Sequence, residues 1–328
     1  MELIMDAQQM RSRLRQRLTR GELFGIALAL GLAGLFLWFS PSIDYFGYDF
    51  KNYLNATHGD FSFYYYGYWL LPIFTVLAKL PFAVSYMLWC CVGVLGIFFS
   101  ARVFGGKAPL ALISFQMFYS LIYGQISGLV VGGLALCWWG LVNRKWWVAG
   151  LGIALASAKY QIGIPGVLFL LLTADCSWKD KFRALILPIF VWLASLLIYP
   201  GWINQALHTM LSNPPNDDGS ISLWRWIGPW ALLLWIPPVV LRLPPQQRLI
   251  ALVATTGLAL PYFQQADLLF LLTLPIGWIG LLGNLGYLLG FFGWAVLQAL
   301  ALLPAVVYIK TLYPAVRSMV SNRSEKAA

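Results

Sequence analysis

Long apolar runs separated by short polar breaks fill the chain from Leu23 almost to its C-terminus. An α-helix needs about 20 consecutive apolar residues to cross the hydrocarbon core of a bilayer. The pattern therefore predicts an all-α, polytopic transmembrane helical bundle. A soluble domain is excluded because 60 % of the residues are hydrophobic and only 10 % are charged, which is far from the balance of ordinary globular domains.

The runs predict eleven candidate spans, within an expected total of about ten to twelve. Their approximate limits are 23–40, 83–101, 109–123, 126–142, 146–158, 162–173, a run ending at 199, 227–241, 249–262, 268–282 and 287–309. Segment 69–82 is also apolar, but it is short and contains Pro72, Lys79 and Pro81. We expect this segment to form an interfacial or re-entrant helix rather than a span.

The distribution of basic residues predicts the orientation. Five arginines precede the first run, and such clusters remain in the cytoplasm under the positive-inside rule. We expect a basic cytoplasmic segment at 1–22, a single transmembrane domain at 23–310 and a polar C-terminal tail at 311–328. The protein is then a multi-pass protein of the cell membrane, such as a bacterial inner membrane. Alternation places the loops that hold Asp49 and Asp217 outside, although eleven spans would also put the basic tail outside.

The net charge of +10 does not indicate a nucleic-acid partner, because the cations are concentrated at the predicted membrane edges. Membrane lipids are the expected partner of such residues. The four cysteines lie in or at the end of apolar runs, and we interpret them as packing residues. With only His58 and His208, and with no zinc, phosphate-loop or Ser/His/Asp motif, the sequence predicts no cofactor and no metal.

Asp49 lies among aromatic residues in the first extracytoplasmic loop. Partial desolvation there would raise the pKa of the carboxyl group and make it a stronger base. A second interpretation is that Asp49 caps a helix over 50–56. Asp44 is a possible second carboxylate in the same loop. Asp267 is another, and it is either buried at the outer end of a span or simply marks the start of a helix.

Lys159 interrupts an apolar stretch that otherwise runs from 146 to 172. A charge at such depth costs about 2.5–3.5 kcal/mol on insertion scales. Lys159 therefore either faces a cavity that holds a lipid phosphate or snorkels to the headgroups. Arg225, between two tryptophans, is either a phosphate ligand or an anchor in the interfacial aromatic belt. Gln125 either hydrogen-bonds a loop or a sugar, or is an interfacial polar residue at a helix turn.

Four blocks, taken in order, resemble glycosyltransferase family 87, whose members have the GT-C fold and use polyprenyl-phosphate sugars. The first block, from Asp49 to Ala56, is similar to the family's D-F-x-x-Y-x-x-A after the first span. The second contains a Y-x-P, L-P and W spacing between positions 66 and 89. The third combines Gly124-Gln125 with Ala149-Gly150-Leu151 and Lys159, and the fourth runs from Leu260-Pro261 to Asp267-Leu268-Leu269. Together the blocks lie between about 44 and 275.

The resemblance implies a GT-C-like bundle whose extracytoplasmic loops carry the site. It implies an enzyme that moves a hexose, such as mannose, from a polyprenyl-phosphate donor to a lipid or glycan acceptor. Asp49 would be the general base, and Lys159 and Arg225 would stabilise the leaving phosphate. Gln125, Tyr53 and Gln264 would belong to the donor phosphate or sugar site. Because the donor carries one phosphate, no metal is needed to bridge a diphosphate.

Two other classes of protein fit the same residues. A membrane carrier or flippase for a lipid-linked sugar would share the aromatic, cationic cavity, and a non-catalytic scaffold would leave Lys159 without a partner. A carrier should tolerate asparagine at position 49, whereas a glycosyltransferase should not. This substitution therefore separates the first two classes.

Overall fold

The protein is helical throughout its described part. The computed structural model describes residues 7–42, 45–212 and 220–327. Over these ranges every regular element is an α- or 3₁₀-helix, and no strand is formed. The predicted all-α fold is confirmed.

The N-terminal third contains two long helices and three short ones. They are α1 (Ala7–Arg15), α2 (Arg20–Phe39), α3 (Tyr48–Ala56), α4 (Leu71–Leu77) and α5 (Phe82–Phe104). α2 begins with a capping box in which Thr19 and Glu22 each accept a hydrogen bond from the other's backbone N–H. Segment 69–82 forms a 3₁₀ turn and the seven-residue α4, which is too short to span a bilayer. Its interfacial or re-entrant placement stays a prediction.

The middle third contains the helices that carry the predicted site residues Gln125 and Lys159 at their junctions. They are α6 (Ala108–Leu112), α7 (Phe115–Tyr123), α8 (Ser127–Val142), α9 (Trp146–Ala156), α10 (Tyr160–Thr173), α11 (Trp178–Ile198) and α12 (Trp202–Ser212).

The C-terminal third alternates short α-helices with 3₁₀ stretches before one long helix. Its α-helices are α13 (Trp224–Ile227), α14 (Ile236–Val240), α15 (Pro245–Ala259), α16 (Leu269–Leu272), α17 (Gly286–Leu289), α18 (Trp294–Leu297) and α19 (Leu302–Ala327). α19 extends into the predicted polar tail as far as Ala327.

Within the described ranges, four helical stretches are long and apolar enough to cross a membrane: α2, α5, α11 and Gln298–Ser318. A fifth candidate is formed by α7 and α8 together, which bend by 116° at the break between them. Several apolar helices are therefore present, as a multi-pass membrane protein requires. They are fewer than the expected ten to twelve spans because several predicted spans are divided into shorter helices. Segment 109–123, for example, is divided into α6 and α7 where Ser114 caps α7.

Close packing of α8 against its neighbours fixes its position. A Cβ atom added at Gly96 of α5 would lie 2.3 Å from the carbonyl oxygen of Gly128 on α8. A Cβ atom added at Gly152 of α9 would lie 2.2 Å from the backbone nitrogen of Cys137. Only glycine permits backbones to approach so closely, as at small-residue interfaces of membrane helices. The N-terminus of α8 lies beside the late segment of the chain that contains Asp267, because Ser127 Oγ donates to Asp267 Oδ1 at 2.8 Å.

Candidate functional site

Asp49 lies in the first turn of α3. The residue that precedes the helix is Gly47, whose φ of 63° is left-handed and favours glycine. The interpretation of Asp49 as the N-cap is therefore wrong, because the helix already begins at Tyr48. The Gly47 N–H donates to the carbonyl oxygen of Ile122 at 2.8 Å, so the start of α3 is tied to the end of α7.

The break between α7 and α8 brings Gln125 to Asp49. Gly124 ends α7 with a φ of 70°, and a Cβ atom added there would lie 2.6 Å from Cβ of Phe50. Trp89 Nε1 donates to the Gly124 carbonyl oxygen at 2.9 Å. In this fixed position Gln125 Nε2 donates to Asp49 Oδ2 and lies 3.0 Å from Gln264 Oε1.

Lys159 and Asp267 form a buried ion pair. Lys159 occupies the break between α9 and α10, and its Nζ lies 2.6 Å from Asp267 Oδ1. The two residues are only 2 % and 0 % exposed, so Lys159 does not snorkel to the headgroups. Ser127 Oγ donates to the same oxygen at 2.8 Å. The N–H of Gln264 donates to Asp267 Oδ2 at 3.1 Å, so Asp267 is both buried and part of a local turn.

These bonds join residues that are far apart in the sequence into one connected set, which we call the carboxylate network: Asp49, Gln125, Ser127, Lys159, Gln264 and Asp267. Asp49 lies at one end of the network and the ion pair lies at the other. Gln264 connects the two, because its side chain faces Gln125 while its backbone N–H is held by Asp267. Its Nε2 also donates to the hydroxyl of Tyr262.

The electrostatic setting of Asp49 suits a base that works near neutral pH. Burial is the largest effect and raises the pKa of Asp49, the positive charge of Lys159 lowers it, and the negative charge of Asp267 raises it. The resulting pKa is about 7, against an ordinary value of 3.8. Asp60, in the same loop, is a contrast, because hydrogen bonds from Ser62 lower the pKa of its exposed carboxyl group.

Tyr53 lies one helical turn beyond Asp49 and is fully buried. Its ring packs edge-on against Tyr66, with 5.0 Å between ring centroids, and lies 4.9 Å from the ring of Phe74. Phe50 stacks on Trp89 at 6.0 Å on the neighbouring face of α3. These rings form a wall that holds α3 in place, and Tyr53 is placed in that wall.

An aromatic cavity of about 150 Å³ lies beside this wall. Tyr65, Tyr66, Tyr160, Trp192 and Trp202 contribute to its lining. The Gly67 N–H donates to the carbonyl oxygen of Ala158 at 3.1 Å, which ties one rim of the cavity to the residue before Lys159. The cavity and the carboxylate network therefore share the α9–α10 junction.

Arg225 lies on an element that holds no member of the carboxylate network. Arg225 is exposed on the short helix α13. The segment before it is paired with the segment before Gln264, since the Ile221 N–H donates to the carbonyl oxygen of Phe263 at 2.9 Å. Asp44 lies outside the described residues, as does Asp217 of the second predicted outer loop.

Ser127 was not predicted from the sequence, and its hydroxyl group completes the contacts of Asp267 Oδ1. The available signal was a second polar residue two positions after Gln125, at the start of an apolar helix. Among the described residues, no group of three or more His, Cys, Asp or Glu side chains could hold a metal ion. Metal independence stays a prediction.

Comparison with known proteins identifies the family. No curated protein and no solved structure matches the chain. A sequence model of glycosyltransferase family 87 matches residues 64–277. The matched range contains Gln125, Lys159 and Asp267, and it begins after Asp49, which is joined to it through the hydrogen bond from Gln125. Because the match covers more than half of the chain, this protein belongs to glycosyltransferase family 87.

Proposed function

We propose that this glycosyltransferase moves a hexose, such as mannose, from a polyprenyl-phosphate donor to a hydroxyl group of a lipid or glycan acceptor. The reaction takes place at the extracytoplasmic face of the cell membrane, with Asp49 as general base and without a metal. One observation supports this most strongly. A partly buried carboxyl group with a pKa of about 7 is held by Gln125 at the end of a network that contains a buried lysine.

In the proposed step, a carboxylate oxygen of Asp49 removes the proton from the acceptor hydroxyl group. At the same time the hydroxyl oxygen of the acceptor attacks the anomeric carbon of the donor sugar. The bond between the anomeric carbon and the phosphate oxygen breaks, and its electron pair leaves with polyprenyl phosphate. Asp49 then returns the proton to solvent. A pKa near 7 suits this task, because the base must be ionised beforehand and still take up a proton during the reaction.

Lys159 is proposed to act mainly through position. Its ion pair holds Asp267, which holds the backbone of Gln264, and Gln264 in turn faces Gln125 beside Asp49. Lys159 already donates to Asp267, and an ammonium group has three N–H donors in all. A leaving phosphate that binds Lys159 would therefore share the ammonium group with Asp267. Arg225 is exposed and is proposed as a second cation for the phosphate.

The aromatic cavity supports binding of a ring-sized group near the network. A cavity of 150 Å³ is large enough to hold a single six-membered ring. Its walls are almost entirely aromatic or aliphatic, with Ser157 among the few polar contributors. We propose that it receives the sugar ring or the first isoprene unit of the donor.

The test is a transfer assay with the purified full-length chain, polyprenyl-phosphate-linked radiolabelled mannose and a membrane lipid extract as acceptor. Asp49→Asn keeps the size of the side chain but removes the proton acceptor, so turnover should fall by about 10²–10⁴-fold. Asp60→Asn is the matched control, since it makes the same chemical change in the same loop at an exposed residue, and it should retain turnover close to the wild type. Activity should persist in EDTA.

Two results would contradict the proposal. Normal transfer by Asp49→Asn would exclude Asp49 as the base. Absence of transfer by the wild type, together with movement of the intact lipid-linked sugar across vesicles, would favour the carrier.

A further inference from the structure

A wide cleft lies at the far end of α8 from the carboxylate network. It opens between the α8–α9 turn and α11 and has a volume of about 630 Å³. Its polar rim is formed by Arg144, Lys145 and Arg183, and its walls include Trp147 and Phe190. Since α8 has 16 residues and rises about 1.5 Å per residue, the cleft is roughly 24 Å from Ser127.

The wall on α11 changes from cationic to apolar along one helical face. Arg183, Ile186, Leu187 and Phe190 all line the cleft, and their spacing of three, four and seven residues places them on one side of the helix. Arg183 lies near the start of α11, while Phe190 lies about 10 Å farther along the axis. Ile186 and Phe190 are 65 % and 68 % exposed, so the apolar part of the wall lies on the open surface of α11, a candidate membrane span.

The segments that carry the rim have a net positive charge. The short segments at this end of the chain, 144–145 and 175–183, contain five cations, namely Arg144, Lys145, Lys179, Lys181 and Arg183, and two carboxylates, Asp175 and Asp180. Five minus two leaves a net charge of +3. Asp180 partly offsets Arg183, with 3.4 Å between Oδ1 and Nη1. Arg11 of the basic N-terminal helix extends the rim, because its Nε donates to Asn143 Oδ1 at 2.7 Å.

We propose that this cleft binds one anionic phospholipid, with the headgroup phosphate against Arg144, Lys145 and Arg183 and an acyl chain along Ile186 and Phe190. The order of cations followed by an apolar wall on α11 matches the order of phosphate and acyl chain along a lipid. Charge complementarity selects an anionic headgroup over a zwitterionic one. The site does not depend on the proposed transfer reaction, and it lies at the opposite end of α8.

The test measures the thermal unfolding temperature of the delipidated full-length chain in detergent. Phosphatidylglycerol, phosphatidylcholine with the same acyl chains, or inorganic phosphate is added at matched ionic strength. A ligand that binds the folded state stabilises it by RT ln(1 + [L]/Kd), so above Kd the unfolding temperature rises with the logarithm of the ligand concentration. The wild type should be stabilised by phosphatidylglycerol and not by the other two additives. In Arg144→Gln/Lys145→Gln/Arg183→Gln, the phosphatidylglycerol concentration that produces a given shift should rise by about tenfold or more.

A matched control removes three cations elsewhere. Lys79→Gln/Lys310→Gln/Arg317→Gln changes exposed residues by the same total charge and should keep the wild-type response to phosphatidylglycerol. If the cleft triple variant fails to fold, Arg144→Gln and Arg183→Gln alone carry the test, and each should weaken the response. An equal loss in the control would assign the effect to overall charge and overturn the proposal. So would an unchanged response in the cleft variants, or an equal shift with inorganic phosphate, which would indicate a simple oxyanion site.

Discussion

Two ion pairs near opposite ends of α8 differ in their burial. Lys159 and Asp267 meet at 2.6 Å, and their side chains are 3 % and 0 % exposed. Arg183 and Asp180 meet at 3.4 Å, and their side chains are 50 % and 21 % exposed. The first pair is removed from water, while solvent and salt screen the second.

The buried and the exposed ion pair use charge in two different ways. A buried pair must keep its geometry, because each ion that loses its partner stays desolvated. Lys159 and Asp267 therefore fix the positions of Gln264 and Gln125 around Asp49. An exposed cation can exchange its partner at little cost, so Arg183 remains available to a mobile lipid headgroup. The proposed catalytic end is held by protein contacts, whereas the cleft is suited to contacts with its surroundings.

The largest effect is expected when the buried pair is broken. Lys159→Met should lower the free energy of unfolding by about 3–5 kcal/mol, because it leaves the Asp267 carboxylate buried without its cation. Lys159→Met/Asp267→Leu should recover most of that loss while transfer activity stays low, since Gln264 is no longer held. Denaturant unfolding in detergent measures the first effect, and the transfer assay measures the second. A stable Lys159→Met protein would show that the pair does not hold the network.

The next effect concerns the turn that presents Gln125. Gly124→Ala should lower the free energy of unfolding by about 1–3 kcal/mol, because position 124 has a φ of 70° and a Cβ atom there meets Phe50 Cβ at 2.6 Å. Gly59→Ala is the control, since Gly59 has a φ of 92° but nothing within 4 Å of an added Cβ atom. Gly59→Ala should lose only the stability that backbone strain costs. Equal losses in the two variants would mean that the contact with Phe50 is unimportant.

A third effect follows from the raised pKa of Asp49. The base is active when ionised, so kcat/KM should be constant above about pH 7 and fall about tenfold for each pH unit below it. Asp60→Asn should give the same profile, since Asp60 is outside the network. Transfer rates from pH 5 to 9 measure the midpoint, and folding is checked at each pH. A midpoint near the ordinary carboxyl value would show that Asp49 is solvated in the active protein.

The sequence alone singled out the charged residues that the structure joins in the carboxylate network. Lys159 and Asp267 stand out because charges are rare in apolar stretches, and Asp49 stands out among aromatic rings. Their pairing was not predictable, since Lys159 and Asp267 are 108 positions apart and the sequence offered several partners for each. Ser127 was missed because a neutral hydroxyl at the start of a helix is common, and its nearness to Gln125 in the sequence is only a weak signal.

Prediction of the fold from the sequence has a similar limit. Apolar content identified a helical membrane protein, because backbone groups in a bilayer must be satisfied within helices or closed barrels. It did not give the lengths of the individual helices. The breaks at Ser114 and Gly124 depend on tertiary contacts, including the hydrogen bond from Trp89 to the Gly124 carbonyl oxygen. The apolar sequence pattern is the same whether or not the helix is broken at such a position.

The smallest effect is expected at the exposed pair. Arg183→Gln should change the free energy of unfolding by less than about 1 kcal/mol, as is usual for solvent-exposed pairs, and high salt should reduce the difference further. Arg183 is the better residue of the pair to substitute, because a change at Asp180 would also remove other contacts. Asp180 accepts a hydrogen bond from Ser177 Oγ at 2.8 Å, and its N–H donates back to that oxygen. A loss of stability near that of Lys159→Met would erase the distinction between the two ends of α8. A small loss of stability combined with a weaker response to phosphatidylglycerol would assign Arg183 to lipid recognition. The buried pair would then be the one that stabilises the fold.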